Sequence, residues 1–130
     1  MAPALDSYAS ARRTPRTILV VEDDLDVLEA VRERLTQEGF LVRTATDGQQ
    51  ALDDLASNSR PDLILLDLKM PVRSGWEFLE AMRRSDMLVT IPVVVISSYL
   101  GYPPAGAVAW VKKPFQPDQL VQLVRQHSVH

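Results

Sequence analysis

Three short runs of apolar residues, each ended by a polar residue, constrain the fold of this chain more than any other feature. The runs span residues 18–21, 63–66 and 93–96, and they are followed by Glu22, Asp67 and Ser97. A strand that is apolar at every position is buried on both faces, as in a parallel sheet that is covered by helices on both sides. The sequence therefore predicts an α/β fold around a parallel sheet.

Segments with helical periodicity separate these runs. Leu28, Val31 and Leu35 recur at helical spacing between a capping Asp24 and a terminating Gly39. Further helices are predicted after the turn at residues 47–48, after the loop at residues 70–75 and from about residue 117. Residues 41–45 and 109–112 read as two more strands. Alternation of strand and helix predicts a doubly wound, five-stranded parallel sheet.

Composition excludes several classes of protein. The chain has 130 residues, the size of one domain, and no cysteine, which excludes a disulfide scaffold, a thiolate metal site and a cysteine nucleophile. The absence of cysteine also fits a cytoplasmic location. No apolar run is long enough to cross a bilayer, so we expect no membrane contact.

Charge divides the chain into two parts. Residues 1–16 contain three arginines against one aspartate, although the formal net charge of the whole chain is −3. We predict that residues 1–16 form a mobile basic tail and that residues 17–130 form the folded domain. The acidic domain lacks the clustered lysines and arginines of a nucleic-acid surface, so we expect no nucleic-acid partner.

Polar residues follow four of the predicted strands, and a parallel sheet brings such residues to one edge, where ligands bind. They are Glu22, Asp23, Asp67, Ser97 and Lys113. Three carboxylates in one crevice repel one another unless a cation joins them, and hard oxygen ligands favour Mg²⁺. A hydroxyl and an ammonium group suit phosphoryl oxygens. The set predicts phosphoryl chemistry on a carboxylate.

Three motifs resemble a known family. They are ILVVEDD at residues 18–24, LLDLKMP at residues 65–71 and VKKPF at residues 111–115. In this order they resemble the receiver domain of bacterial two-component response regulators, over about residues 17–127. The resemblance implies a flavodoxin-like fold with the strand order 2-1-3-4-5.

The resemblance also implies the roles of the acidic residues. Asp67 would be the phosphoacceptor, which takes a phosphoryl group from a phosphohistidine on a sensor histidine kinase or a histidine phosphotransfer protein. Mg²⁺ would be held directly by Asp23 and Asp67, mainly through water by Glu22, and by the backbone carbonyl of Lys69.

The remaining roles follow from the same resemblance. Lys113 would pair with the phosphoryl oxygens, Ser97 would turn inward to bind them, and the small Ser98 would leave a path for the donor. Trp110 stands where the family has its aromatic switch residue. The Lys113–Pro114 peptide bond is expected to be cis.

The chain departs from the family between the fourth and fifth strands. Only twelve residues, 97–108, connect them, and Gly101, Pro103, Pro104 and Gly106 interrupt that stretch. Proline inside a helix costs about 3 kcal/mol, so we expect the fourth helix of the family to be missing or reduced to a turn.

These observations favour a stand-alone receiver without an output domain, which relays its signal to an unknown downstream protein by contact. It would catalyse its own phosphorylation and dephosphorylation, and it would not turn over an external substrate. One alternative is a pseudo-receiver, a docking module that works without phosphorylation. Another is an aspartate-nucleophile phosphatase of the haloacid dehalogenase type, but Lys69 stands where that family has a second aspartate.

Overall fold

The computed structural model describes residues 15–98 and 104–128. Residues 1–14 of the predicted tail lie outside the described residues. Arg16, at the end of that segment, donates hydrogen bonds to the carbonyl oxygen of Arg125 at 3.1 Å and to Ser128 Oγ at 2.9 Å.

Within the described residues, the chain forms five strands and four helices. The strands are β1 (Thr17–Val21), β2 (Leu41–Ala45), β3 (Leu63–Asp67), β4 (Val93–Ser97) and β5 (Ala109–Lys112), and the helices are α1 (Leu25–Gln37), α2 (Gly48–Ser57), α3 (Gly75–Arg83) and α4 (Pro117–His127). The sheet order is β2-β1-β3-β4-β5, and every neighbouring pair is parallel. The predicted doubly wound sheet is confirmed.

The sheet separates two hydrophobic layers, which explains why its central strands are apolar at every position. In β1, Ile18 and Val20 face the layer that α1 and α4 cover. Leu19 and Val21 face the layer that α2 and α3 cover. All four side chains are fully buried, so both faces of β1 contribute to the core.

Three helices begin at a side-chain cap close to a strand end. Asp24 accepts hydrogen bonds from the backbone at the start of α1, and Asp47 does so for α2. Ser74 and Glu77 form a capping box at the start of α3. The caps of α1 and α2 follow their strands within three residues, whereas the loop before α3, residues 68–74, is longer.

The connection between β4 and β5 follows the predicted departure. Residues 104–108 form a turn, with a hydrogen bond from the Ala107 amide to the Pro104 carbonyl oxygen at 3.2 Å. No helix occurs among the described residues of this connection, while residues 99–103, with Gly101 and Pro103, lie outside the description. The Trp76 side chain on α3 is 48% exposed.

In the two described segments, no helix combines the length and the apolar content that a bilayer crossing requires.

Candidate functional site

The carboxyl ends of four strands bring the predicted site residues to one edge of the sheet. The strand pairs β1–β3, β3–β4 and β4–β5 end in register, at Val21 with Leu66, Asp67 with Ile96, and Ser97 with Lys112. Glu22 and Lys113 are the next residues after β1 and β5. Because the strands run in parallel and end together, residues far apart in sequence become neighbours.

Three carboxyl groups form an acidic cluster at this edge. One carboxylate oxygen from each of Glu22, Asp23 and Asp67 lies within 4.8 Å of the others. Glu22 is fully buried and Asp67 is 4% exposed, whereas Asp23 is open to solvent. The cluster therefore places two buried negative groups beneath an exposed one.

Lys113 reaches into the cluster from the end of β5. Its Nζ lies 2.7 Å from Glu22 Oε1 and 3.7 Å from Asp67 Oδ1. Desolvation lowers the pKa of Lys113, but its hydrogen bond to Glu22 and the nearby carboxylate charges outweigh that effect and raise the pKa above its ordinary value. Lys113 is therefore a fixed positive charge at neutral pH.

Glu22 is held at both carboxylate oxygens. Oε1 faces Lys113 Nζ, and Oε2 accepts a hydrogen bond from the Asp24 amide at 3.1 Å. Asp24 also caps α1, so one turn orients the buried Glu22 and starts the helix. The sequence alone indicated the cap but not the contact with Glu22, because a backbone amide leaves no trace in a pattern of side chains.

Asp67 has the most perturbed carboxyl group of the cluster. Burial is the largest cause that raises its pKa from 3.8 to about 7, and the negative charge of Glu22 acts in the same direction. Lys113 and a hydrogen bond from the Lys69 backbone amide oppose the rise. Asp67 is therefore suited to bind a cation, because a cation would offset the repulsion between the Asp67 and Glu22 carboxylates.

The loop from β3 to α3 packs closely against the end of β3. The Gly75 amide donates to the Leu68 carbonyl oxygen at 2.9 Å, and a Cβ atom at position 75 would lie 2.3 Å from the Asp67 carbonyl oxygen. Only glycine fits there. Sequence reasoning treated Gly75 as a loop residue and missed this role, although a glycine between a strand end and a helix was a usable signal.

The other predicted residues lie around the acidic cluster. Ser97 is buried at the end of β4, and its carbonyl oxygen accepts the Lys113 amide at 2.8 Å. Ser98 and Lys69 are exposed and line, with Trp76 and four other residues, a cavity of about 350 Å³ beside the β3–α3 loop. Trp110 is half-buried against the layer beneath α3, and the Lys113–Pro114 peptide bond is cis as expected.

The ligand chemistry of the acidic cluster fits a divalent cation that prefers oxygen. Three carboxylates provide hard oxygen ligands within reach of one another, and the fully buried Glu22 adds negative charge that water cannot screen. The exposed Asp23 leaves one side of the cluster accessible from solvent. A set with so few protein ligands suits Mg²⁺, because Mg²⁺ keeps several water molecules in its coordination shell.

Comparison with known proteins gives a consistent result. The family model of the response regulator receiver domain matches residues 18–125. The transcriptional regulatory protein PrrA of Mycobacterium tuberculosis is 40% identical over 118 residues, which cover 86% of this chain and 49% of PrrA. The chain spans about half the length of the curated relatives it matches.

Solved structures agree with the sequence comparison. The chemotaxis response regulator CheY4 of Vibrio cholerae superimposes with a TM-score of 0.79 at 30% identity, covering 87% of this chain and 98% of that chain. The response regulator protein TrrA of Thermotoga maritima, in complex with Mg²⁺-BeF, has a TM-score of 0.76 at 30% identity and covers 85% of this chain and 97% of its own.

The raised pKa of Asp67 predicts how the stability of the metal-free protein depends on pH. Between pH 4 and pH 7 the folded state retains a proton on Asp67 that the unfolded state has lost. This contribution to stability is complete below about pH 3.8 and is lost as pH rises through about 7. Asp67→Asn should remove this loss. The free energy of unfolding of Asp67→Asn, relative to that of the wild type, should therefore rise by roughly 1–4 kcal/mol between pH 5 and pH 8.

Urea unfolding in the presence of a chelator measures this difference. Asp86→Asn is the matched control, because Asp86 is an exposed aspartate on the connection to the amino end of β4. It should leave the pH dependence of the wild type unchanged. Equal pH slopes for the wild type and Asp67→Asn would contradict the assignment.

Proposed function

This chain belongs to the response regulator receiver family, and we propose that it accepts a phosphoryl group on Asp67 from the phosphohistidine of a sensor histidine kinase or histidine phosphotransfer protein. The observation that carries the proposal is the buried Asp67 at the end of β3, flanked by Glu22 and by the ammonium group of Lys113. We assign this reaction to residues 17–130, after the basic tail, and propose that it takes place in the cytoplasm.

The transfer is a substitution at phosphorus. A carboxylate oxygen of Asp67 forms the new O–P bond as the N–P bond of the phosphohistidine breaks, and the leaving imidazole keeps the electron pair and takes up a proton. Asp67 needs no separate base when it is ionised, but near pH 7 the metal-free carboxyl group is partly protonated. Bound Mg²⁺ would supply the positive charge that favours the ionised carboxylate and offsets repulsion from the incoming phosphoryl group.

The contacts of the acidic residues support unequal roles in holding Mg²⁺. Both oxygens of Glu22 already have partners, Lys113 and the Asp24 amide, which suits a contact through water. Asp23 is exposed and suits direct ligation, together with Asp67. The backbone carbonyl of Lys69 is the fourth ligand in this proposal. The Mg²⁺-BeF complex named for TrrA supports a site of this kind.

Lys113 and Ser97 would bind the phosphoryl group. Lys113 Nζ is already 3.7 Å from Asp67 Oδ1, so a small movement away from Glu22 brings it to a phosphoryl oxygen. The buried Ser97 lies on the neighbouring strand, in position to turn its hydroxyl group toward the same oxygens.

The output of the chain is proposed to be a protein–protein contact that phosphorylation changes. Curated relatives such as PrrA are named transcriptional regulatory proteins, and they are about twice as long as the matched region. CheY4 is named a chemotaxis response regulator and has nearly the same length as the matched region. We propose a phosphoacceptor that regulates a partner, and no turnover of an external substrate.

Asp67 should gain one phosphoryl group when the protein is incubated with acetyl phosphate and Mg²⁺, because its carboxylate is the proposed nucleophile. Asp67→Asn should gain none, and Asp86→Asn should be labelled like the wild type. Intact mass spectrometry measures the gain. A wild type without labelling would favour the pseudo-receiver, and a labelled Asp67→Asn would disprove the assignment of the nucleophile.

The two acids that follow β1 should differ in their effect on Mg²⁺ affinity. Asp23→Asn removes the negative charge of a direct ligand and should weaken binding by about 10-fold or more, whereas Glu22→Gln should weaken it less. Asp24→Asn is the control, because asparagine keeps the helix cap and removes a neighbouring charge. Isothermal titration calorimetry gives the three dissociation constants. Equal losses for Asp23→Asn and Glu22→Gln would show that the two roles are misassigned.

Trp110 should become less exposed when the phosphoryl group is mimicked. Ser97 and Lys113 supply the contacts that distinguish the two states, and the half-buried Trp110 lies three residues before Lys113. In a Trp76→Phe background, beryllofluoride with Mg²⁺ should shift the Trp110 emission to shorter wavelength. Adding Ser97→Ala should abolish the shift. An unchanged spectrum in the Trp76→Phe protein would identify Trp110 as a fixed core residue.

A further inference from the structure

We propose that the amino end of α2 braces the β3–α3 loop, residues 68–74, and that Gly48 is a positioning residue for the metal site. The inference rests on the proposed function, because the loop carries Lys69, whose carbonyl is a proposed Mg²⁺ ligand. Neither Gly48 nor the loop residue that it contacts, Arg73, belongs to the acidic cluster.

The β3–α3 loop contains a strained turn at Val72. Val72 has a φ angle of 65°, in the left-handed region that a β-branched residue rarely adopts. The Arg73 amide donates to the Pro71 carbonyl oxygen at 2.7 Å, which closes a γ-turn of the rare, strained type around Val72. Val72 is 82% exposed, so its side chain adds little packing. Such a conformation persists only where neighbouring structure holds it.

The first turn of α2 provides that support. The Gly48 amide donates to the Arg73 carbonyl oxygen at 2.9 Å, and Gln49 Oε1 accepts a hydrogen bond from Arg73 Nε at 3.2 Å. The end of α2 is itself fixed, because Asp47 Oδ1 accepts the Gln50 amide at 2.8 Å. Two adjacent residues of a capped helix therefore form hydrogen bonds with one residue of the strained loop.

Position 48 requires glycine for space and not for backbone conformation. Gly48 does not have a left-handed φ, so alanine could adopt its backbone angles and would favour the helix. A Cβ atom at this position, however, would lie 2.6 Å from the Arg73 carbonyl oxygen. Because the clash is with a backbone atom, it is relieved only if the loop moves away from α2.

Movement at Arg73 would reach the metal site because the loop is closed on itself. The hydrogen bond from the Gly75 amide to the Leu68 carbonyl oxygen joins its two ends, and Gly75 is packed against the Asp67 carbonyl oxygen. Lys69 and Arg73 both lie within this closed loop, so a shift of Arg73 is transmitted along residues 70–72 to Lys69. Its amide donates to the Asp67 carboxylate, so displacement of the loop would disturb both proposed ligands.

The test compares two glycine-to-alanine variants by Mg²⁺ calorimetry and by thermal unfolding in chelator. Gly48→Ala should weaken Mg²⁺ binding by about 10-fold, with little change in Tm because helix propensity offsets the clash. Gly39→Ala is the matched control: Gly39 has a φ of 95°, and a Cβ atom there meets nothing within 4 Å. It should lower Tm through backbone strain and leave Mg²⁺ affinity unchanged.

Further measurements separate failure of this inference from failure of the proposed function. Saturating Mg²⁺ should restore acetyl phosphate labelling of Gly48→Ala, because Asp67 is intact. Gln49→Ala removes the side-chain contact with Arg73, together with a hydrogen bond to Asp53 within α2, and keeps the Gly48 contact. It should weaken Mg²⁺ binding by about 2-fold to 5-fold and provides a second variant should Gly48→Ala not fold. The proposed role of Gly48 would be contradicted if both Gly48→Ala and Gln49→Ala bound Mg²⁺ with wild-type affinity. It would also be contradicted if the loss of Mg²⁺ affinity were proportional to the loss of Tm across all variants. A wild type that binds no Mg²⁺ would instead contradict the proposed function.

Discussion

The ion pair between Lys113 and Glu22 is the interaction on which the site depends. Two carboxyl groups are buried side by side, and burial of like charges opposes folding unless a cation is present. Lys113 supplies that cation from the end of β5, at 2.7 Å from the fully buried Glu22. Its position requires β5 to pair with β4, and the sheet topology therefore has an electrostatic role as well as a packing role.

The same contacts leave Asp67 incompletely neutralised. Lys113 is 2.7 Å from Glu22 but 3.7 Å from Asp67, so the ammonium group favours one of the two buried acids. Burial is the largest cause that raises the pKa of Asp67 to about 7, the charge of Glu22 adds to the rise, and Lys113 opposes it only in part. Replacement of the Asp67 carboxyl group by a neutral one would increase the stability of the metal-free fold at neutral pH. The unfavourable state of the carboxyl group is what makes this edge of the sheet suited to a cation.

Sequence patterns predicted the parallel sheet and the residues at its edge, whereas the strand order came from the resemblance to the receiver family. Burial on both faces leaves an all-apolar run, and the residue after each run marks a strand end, as at Glu22 and Asp67. Contacts made by backbone atoms could not be predicted in this way. The hydrogen bond from the Gly48 amide to the Arg73 carbonyl oxygen joins α2 to the β3–α3 loop. It depends on a backbone amide and on the lack of a side chain at position 48, and neither gives a periodic pattern in the sequence. The partial burial of Trp110 likewise depends on a connection whose path no pattern specifies.

The short connection between β4 and β5 also has a consequence for folding. In the β4–β5 ladder Ser97 pairs with Lys112, whereas in the β1–β3 ladder Val21 pairs with Leu66, across a much longer stretch of chain. The entropy lost in closing a loop grows with its length, so the parallel pair with the shortest connection has the lowest closure cost in this sheet. Local pairings of this kind lower the contact order of a fold, and folding rates rise as contact order falls. The shortness of this crossover therefore reduces the entropic barrier to bringing Ser97 and Lys113 together.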